Sequence, residues 1–436
     1  MKAVALIVRF GNSDMNRIVT NIGWLCLERA SQIVITVLVS GIFARYFGPN
    51  LFGKWQYANT LLAVIIPVTW VCGAEILVPT IVKRSLGDLG SVLGSAFVLR
   101  MSVSFLAVLV TWGCIYAGLT DPIVGSMLAG LAVTMLFREP IVGVVNAWLQ
   151  SITFSRPQLL TSTLTAMGKA VAVYAFARTC VAASWFGWLW ALESAIVAFA
   201  MVIYFRGRHG GVLGWHVDKR LLVQFAKSGL VFWLGLICMY FFLKIDRLML
   251  AREVSFAALG KYSAALQLNE SWIAVTLMLA QTVAPTFVYS VQKYTELRRN
   301  LVLLLVLTAA LMTVGATALD LLARIIITKI FGPAYVESVR IFRLAVWLAL
   351  PAGIEAIGNL VLLKFQAKYV VLTKWILALA VAFIMNRWAI PRYGVDGALI
   401  GLASGYLSAL LVDGGYIVAR LRLERDQIEV SKVVGA

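Results

Sequence analysis

Twelve long apolar stretches most constrain what this chain can fold into. A helix that spans a bilayer needs about 20 mostly apolar residues. Such stretches lie at about 22–44, 57–81, 92–118, 123–155, 158–179, 186–205, 228–250, 262–290, 300–319, 341–363, 371–390 and 398–419. The segments between them are short. The pattern therefore predicts an all-α polytopic membrane protein with about 12 transmembrane helices and no soluble domain.

Composition agrees with a membrane protein and argues against nucleic-acid binding. The 436 residues are 61% hydrophobic and 13% charged, whereas an ordinary soluble protein is roughly 25% charged. The net charge of +18 would suit a nucleic-acid partner. However, the Lys and Arg residues stand singly or in small groups between apolar runs, as they do in loops that flank membrane helices. We expect membrane lipids, and no nucleic acid, as partners.

Residues suited to catalysis or metal binding are sparse. The five cysteines are far apart, and no pair has the spacing of metal ligands. The two histidines, His209 and His216, lie in one basic segment, and no serine has a nucleophile-elbow pattern. We therefore predict no catalytic site, no bound metal and no cofactor apart from an ion gradient, for which H⁺ and Na⁺ both stay open.

One stretch of the chain recurs about 207 positions later. Ala44 to Leu61 matches Ala251 to Leu268, and each copy reads as a short loop between two spans. The matched pairs include Arg45 and Arg252, Gly53 and Gly260, Lys54 and Lys261, and Trp55 and Tyr262. A Pro-Thr pair follows both copies, at 79–80 and 285–286. A repeat at this period predicts two related halves.

The repeat and the basic segment define the expected domains. They are an amino-terminal six-helix bundle at 1–205, a basic cytoplasmic linker at 206–227, and a carboxy-terminal six-helix bundle at 228–436 with a short polar tail. Six spans separate the two copies, so the two bundles are expected to be parallel. Parallel halves with a site between them are typical of transporters.

The distribution of basic residues predicts the orientation. With the amino terminus in the cytoplasm, about 21 of the 38 Lys and Arg residues fall on the cytoplasmic side and about 11 outside. Because cytoplasmic loops are the more basic, both termini and residues 206–220 are predicted to be cytoplasmic.

Charged residues lie inside the predicted spans. An ionisable side chain in a bilayer costs at least about 2.5–3.5 kcal/mol, so it is expected to face an interior, a cavity or a partner. Neighbours on a helix point about 100° apart, so Glu28 and Arg29, like Arg138 and Glu139, need partners on other helices. The span cations are Arg29, Arg100, Arg138, Lys169, Lys244 and Arg247, and the acids are Glu28, Glu75, Glu139, Glu193, Asp246, Glu270, Glu355 and Asp413.

Five segments of the chain resemble a known family. They are WLCLERASQIVITVLVSGIFARYFGPNLFGKWQYA at 24–58, LGSAFVLR at 93–100, DRLMLAREVSFAALGKYSAALQLNESW at 246–272, IFGPAYVESVRIFRLAVW at 330–347 and AIPRYGVDGALIGLASGY at 389–406. Together they are similar to the polysaccharide and O-antigen flippases of the multidrug, oligosaccharidyl-lipid and polysaccharide exporter superfamily. Each segment is loose alone, and their order along the chain is what makes the resemblance specific.

The resemblance implies a function. Such proteins have twelve helices in two bundles and work by alternating access. In the bacterial inner membrane they move a lipid-diphosphate-linked oligosaccharide of the undecaprenyl type from the cytoplasmic to the outer leaflet. That step serves polysaccharide, O-antigen or exopolysaccharide biosynthesis, so the implied partners are the lipid-linked oligosaccharide and proteins of polysaccharide polymerisation and assembly.

Four of the span cations are the predicted substrate contacts, because an arginine fork can bind two oxygens of a diphosphate at once. They are Arg29, Arg100, Arg138 and Lys169, and the predicted ion-coupling or structural residues are Glu28, Asp246 and Glu270.

Two alternative functions stay open. A drug/cation antiporter of the same superfamily would need an acidic, aromatic-lined cavity. A membrane glycan polymerase or ligase is the enzymatic alternative.

Overall fold

The computed structural model describes residues 12–83, 89–152, 154, 156–179, 182–209 and 214–434. Every regular element in these ranges is helical. The chain divides into two compact units, Met1–Tyr240 and Phe241–Ala436.

Within the described residues, the first unit contains eight complete helices and most of a ninth. They are α1 (Asn12–Ile65), α2 (Ala74–Lys83), α3 (Leu89–Tyr116), α4 (Pro122–Phe137), α5 (Val144–Ser151), α6 (Arg156–Arg178), α7 (Trp185–His209), α8 (Lys219–Ser228) and α9 (Leu230–Phe242). A 3₁₀ turn at Ile66–Trp70 follows α1, and a π-helix at Arg138–Gly143 joins α4 to α5.

The second unit contains the remaining helices. They are α10 (Ile245–Glu253), α11 (Phe256–Ala284), α12 (Tyr294–Ile330), α13 (Ser338–Ala345), α14 (Ala349–Lys364), α15 (Lys368–Tyr393) and α16 (Val395–Val434). A π-helix at Pro285–Tyr289 extends α11, and a 3₁₀ turn at Val346–Leu348 joins α13 to α14.

Ten helical segments of the described chain are long and apolar enough to cross a membrane. An eleventh is formed if Lys219–Lys227 and Leu230–Glu253, which are bent by 52°, make one broken span. The first segment, Ala30–Lys83, has 54 residues, long enough for two passes at about 20 residues each. These lengths confirm the prediction of an all-α polytopic fold with about 12 helices.

The two copies of the repeat are helical, so their reading as loops is wrong. Residues 49–65 and 256–284 are continuous helix, and only the start of each copy leaves helical geometry. In the first copy the break is Gly48, with φ 70°, and in the second it is Ser255, whose side chain caps α11. Gly48 and Ser255 are 207 positions apart, so the repeat marks an equivalent helix break in each unit.

Two predicted spans are interrupted. The span predicted at 57–81 breaks between the 3₁₀ turn and α2, where Cys72 has φ 57°. A positive φ is strained for a residue with a Cβ atom, so surrounding contacts must hold Cys72 in place. The span predicted at 123–155 is interrupted by the π-helix at Arg138–Gly143, which contains Pro140; this type of distortion is frequent at functional sites.

A close helix crossing in the first unit depends on two glycines. A Cβ atom at Gly130 in α4 would lie 2.4 Å from the backbone nitrogen of Trp188 in α7. One at Gly187 would lie 2.1 Å from the backbone oxygen of Met127. Backbone atoms cannot move aside as a flexible side chain does, so the contact between α4 and α7 requires glycine at both positions.

Candidate functional site in the membrane spans

Two predicted site residues lie outside the described side chains. Glu28 and Arg29 belong to α1, whose backbone is described there. The role predicted for each therefore stays a prediction.

Arg100 is fixed by backbone carbonyls at the interrupted second span. Its Nε donates to the oxygen of Val71 at 3.2 Å and its Nη2 donates to the oxygen of Cys72 at 2.5 Å. The guanidinium, only 3% exposed, also reaches the backbone oxygen of Glu139 at 3.1 Å and its Oε2 at 3.6 Å. Arg100 thus joins the strained turn at Cys72 to the π-helix.

Gly143 leaves the space for this arginine. A Cβ atom at position 143 would lie 2.5 Å from Nη1 of Arg100 and 3.0 Å from Oε2 of Glu139. The structure also gives Glu139 the partner on another helix that its position beside Arg138 predicted.

Arg138 is placed differently. It begins the π-helix, sixteen residues after Pro122 and thirteen before Ser151, the ends of its candidate span. Its side chain is exposed, and within the described chain it makes no hydrogen bond or ion pair. Because a charge at that depth avoids hydrocarbon, the guanidinium is expected to face water or a ligand.

Lys169 is paired. Its Nζ lies 2.6 Å from Oε2 of Glu193 on α7 and 4.5 Å from the centre of the Trp190 ring. Arg138 is close enough to repel Lys169 electrostatically. The carboxylate of Glu193 therefore balances one of two neighbouring cations, and Arg138 is the one left without a described counter-ion.

Glu75 is the acidic counterpart among these residues. It lies in the first turn of α2, its side chain is exposed, and no ion pair to it is found among the described residues. Its carboxylate packs against Gly73, and a Cβ atom at position 73 would lie 2.2 Å from Oε1 of Glu75. Among the described side chains away from the span ends in the first unit, Arg138 and Glu75 are thus an opposite pair of charges for which no ion pair is found.

Asp246 and Glu270 belong to a bonded group in the second unit. Glu270 accepts hydrogen bonds from Nζ of Lys244 at 2.7 Å and from Nη2 of Arg247 at 2.8 Å. Asp246 is fully buried and accepts from the hydroxyl of Tyr262 at 2.7 Å. Two cations and two carboxylates balance here, and the group joins the start of α10 to α11.

Sequence reasoning missed a buried cluster around Lys374. Its Nζ lies 2.6 Å from Oε1 of Glu355, 3.0 Å from Oδ1 of Asn359 and 3.2 Å from Oδ1 of Asp413. Helices α14, α15 and α16 each contribute to it. Lys374 lies three positions inside the span predicted at 371–390, six positions after α15 begins at Lys368, and the sequence pattern assigns it no role.

Metal binding finds no support in the described residues. Among them, no group of three or more His, Cys, Asp or Glu side chains is arranged to hold a metal ion.

Comparison with known proteins places the fold. Neither a protein-family model nor a curated protein sequence matches the chain. Solved structures do match. An inward-facing multidrug resistance MATE family transporter of the MOP superfamily has a TM-score of 0.76 at 11% identity, covering 90% of this chain and 96% of that one.

Two further structures agree. The lipid II flippase MurJ, in an inward closed conformation, has a TM-score of 0.73 at 12% identity, covering 92% of this chain and 87% of that one. The eukaryotic MATE transporter AtDTX14 has a TM-score of 0.65 at 12% identity, covering 94% of this chain and 99% of that one. The chain has the fold shared by these proteins. They are transporters and a flippase rather than enzymes.

Proposed function

We propose that the chain is a flippase for a lipid-diphosphate-linked oligosaccharide of the undecaprenyl type in the bacterial inner membrane, with both termini in the cytoplasm. The observation that carries the proposal is Arg138. An arginine half-way along a span, exposed and without a described counter-ion, suits an anionic ligand that arrives and leaves.

The chemistry of a diphosphate fits this position. A guanidinium donates two parallel hydrogen bonds to phosphate oxygens, and such charge-assisted bonds are roughly twice as strong as neutral ones. The neighbouring Lys169 is already paired with Glu193, so Arg138 supplies the positive charge that is available to a ligand here. A headgroup with two phosphates is thereby favoured over a neutral sugar.

The other predicted contact in the described part has a different role in this proposal. Arg100 uses its fork on the carbonyls of Val71 and Cys72 and on Glu139. It supports the π-helix that presents Arg138 rather than reaching the ligand. Asp246 and Glu270 are assigned a structural role on the same reasoning, because both are bonded within their own unit.

A second candidate function follows from Glu75. An exposed, unpaired carboxylate within a span suits exchange of an organic cation against H⁺ or Na⁺, and the fold is also that of MATE transporters. The two functions differ in the charge of the cargo, so the same preparation can separate them.

The test uses the purified chain in proteoliposomes. A fluorescent polyprenyl-diphosphate disaccharide is placed in both leaflets, and a membrane-impermeant quencher reports how fast the inner pool reaches the outer leaflet. We expect protein-dependent movement of this lipid and none of a matched polyprenol glycoside that lacks phosphate. Ion-driven uptake of an organic cation dye, with no movement of the diphosphate lipid, would instead establish the antiporter.

A further inference from the structure

A short amphipathic helix, α8, presents a cationic outer face. Lys219, Arg220 and Lys227 on this helix are all exposed. On its other side, Leu221 and Phe225 are 1% and 0% exposed and belong to the hydrophobic core of the first unit. The protein itself thus covers the apolar side of α8, and the basic side is left outward.

The segment before α8 is tied to α3 by hydrogen bonds. The backbone N–H of Asp218 donates to Oγ of Ser95 at 2.9 Å, and that hydroxyl donates to the oxygen of Asp218 at 3.3 Å. The N–H of His216 donates to the oxygen of Gly90 at 3.3 Å. The carboxylate of Asp218 accepts from the N–H of Arg220 at 2.8 Å, which caps α8.

Two glycines one turn apart on α3 allow this close approach. A Cβ atom at Gly94 would lie 2.5 Å from the backbone oxygen of His216. One at Gly90 would lie 2.5 Å from the backbone oxygen of Gly214. Backbone packs on backbone at both points, so the position of α8 on the first unit is built into the fold.

The outer face has a regular pattern. Lys219, Val223 and Lys227 are four residues apart and form one row along the helix, with Val223 54% exposed. Arg206 and Arg208 are exposed at the end of α7. They follow Phe205, whose ring centre lies 5.6 Å from that of Trp215 in the segment before α8. The one acid in 206–228 is Asp218, which is already used as a cap.

The neighbouring helix places α8 at a membrane surface. It leads directly into α9, a wholly apolar helix at Leu230–Phe242, and the chain bends by 52° between the two. Because α8 ends two positions before this apolar helix begins, its exposed Lys and Arg lie where basic residues that flank a span meet the lipid headgroups.

We propose that the outer face of α8 binds anionic phospholipid headgroups, such as phosphatidylglycerol, at the bilayer surface. The argument is charge complementarity: three exposed cations surround an exposed valine, and the one acid in 206–228 caps the helix. Phosphates are expected beside the cations, with acyl chains against Val223. Each Lys or Arg near an anionic surface strengthens binding by about fivefold. The site is independent of the transported substrate.

The test measures lipid binding by the purified full chain in neutral detergent. Native mass spectrometry gives dissociation constants for phosphatidylglycerol and phosphatidylcholine. We expect a preference for phosphatidylglycerol that weakens in 0.5 M NaCl, since salt screens exposed charges. The triple variant Lys219→Gln/Arg220→Gln/Lys227→Gln is expected to lose roughly 100-fold in affinity for phosphatidylglycerol, from three additive contributions. Its binding of phosphatidylcholine should stay within twofold of the unmodified chain.

A charge-matched control separates a built site from diffuse attraction. The variant Lys293→Gln/Arg298→Gln/Arg299→Gln removes three exposed cations at and beside the start of α12 and is expected to keep the preference. Equal losses in both triple variants, or an unchanged preference in the α8 variant, would overturn the proposal. So would equally tight binding of glycerol phosphate, which has no acyl chains. If the triple variant does not fold, Lys227→Gln alone is expected to lose about fivefold.

Discussion

The Nζ of Lys374 lies 2.6 Å from Oε1 of Glu355, and these side chains are 0% and 8% exposed. A carboxylate of Asp413, 3% exposed, completes the group. Three successive helices of the second unit are therefore joined by one buried cation between two acids. Removal of that ammonium would leave both acids without a counter-charge.

We predict that Lys374→Met destabilises the protein by about 3–5 kcal/mol, because breaking a buried ion pair leaves an uncompensated charge. The measurement is the free energy of unfolding in mixed micelles titrated with SDS. Lys368→Met, at the exposed start of the same helix, is the control. Adding Glu355→Gln and Asp413→Asn to Lys374→Met should recover part of the loss. Equal stability of Lys374→Met and Lys368→Met would contradict the cluster's role.

Arg100 is predicted to stabilise the fold rather than to contact the substrate. Arg100→Lys keeps the charge but loses the fork that bonds the carbonyls of Val71 and Cys72. Hydrogen bonds to charged groups contribute about 1.5–3 kcal/mol each, so unfolding in SDS should occur at clearly lower denaturant. Arg138→Lys should leave stability unchanged. A fully stable Arg100→Lys variant that no longer transports would instead indicate direct contact with the substrate.

Asp121 is predicted to confer acid-sensitive stability. It caps α4 through the N–H groups of Ile123 and Val124 and accepts a hydrogen bond from Lys54 at 3.0 Å. Burial alone would raise the pKa of Asp121, but the bonds from Lys54 and from the two amides outweigh it, so the pKa is lowered. A lowered folded-state pKa gives stability that is present above the ordinary value of about 3.9 and is lost as pH falls below it.

The comparison of two Asp121 variants separates the cap from the charge. Asp121→Asn keeps a capping oxygen and should flatten the loss of stability below about pH 4. Asp121→Ala removes both and should cost a further ~1 kcal/mol at neutral pH. The readout is the midpoint of thermal unfolding in detergent at a series of pH values. An Asn variant as acid-sensitive as the unmodified chain would show that Lys54 and Asp121 contribute nothing.

Gly130→Ala is predicted to separate α4 from α7. The added methyl carbon would lie 2.4 Å from the nitrogen of Trp188, so overpacking of roughly 1–3 kcal/mol is expected. Gly168→Ala in α6 is the matched control, because a Cβ atom there has nothing within 4 Å. Helix propensity alone should make that variant more stable by about 0.5–1 kcal/mol. Opposite signs for the two in one thermal-unfolding assay are the expected result, and equal signs would contradict the crossing.

Apolar periodicity and length were enough to predict the helices, because a bilayer admits few other structures. The repeat also located the two equivalent breaks, although it was read as a pair of loops. Gly53 and Lys54 look like loop residues, yet they continue the helix that restarts after Gly48.

Side-chain partners were the part that sequence could not supply. The bonds of Arg100 go to residues 28, 29 and 39 positions away, and two of the acceptors are carbonyls of a broken helix. Every residue has a carbonyl oxygen, so the sequence does not show which of them accepts a hydrogen bond. Cysteine rarely adopts a positive φ, so the conformation of Cys72 could not be predicted from its residue type. The adjacency of Arg138 and Glu139 predicted a partner on another helix for each, and among the described side chains only Glu139 has one, Arg100.

The most direct measurement of the central claim is the flipping rate of a polyprenyl-diphosphate disaccharide in proteoliposomes with three proteins: the unmodified chain, Arg138→Gln and Arg178→Gln. Arg178 is an exposed arginine at the end of α6, so its substitution controls for the loss of one charge. Loss of a charge-assisted bond to the diphosphate should lower the rate at limiting substrate by about 10- to 150-fold for Arg138→Gln. Arg178→Gln should stay within twofold. A fully folded Arg138→Gln protein that flips the lipid at the unmodified rate would contradict the account.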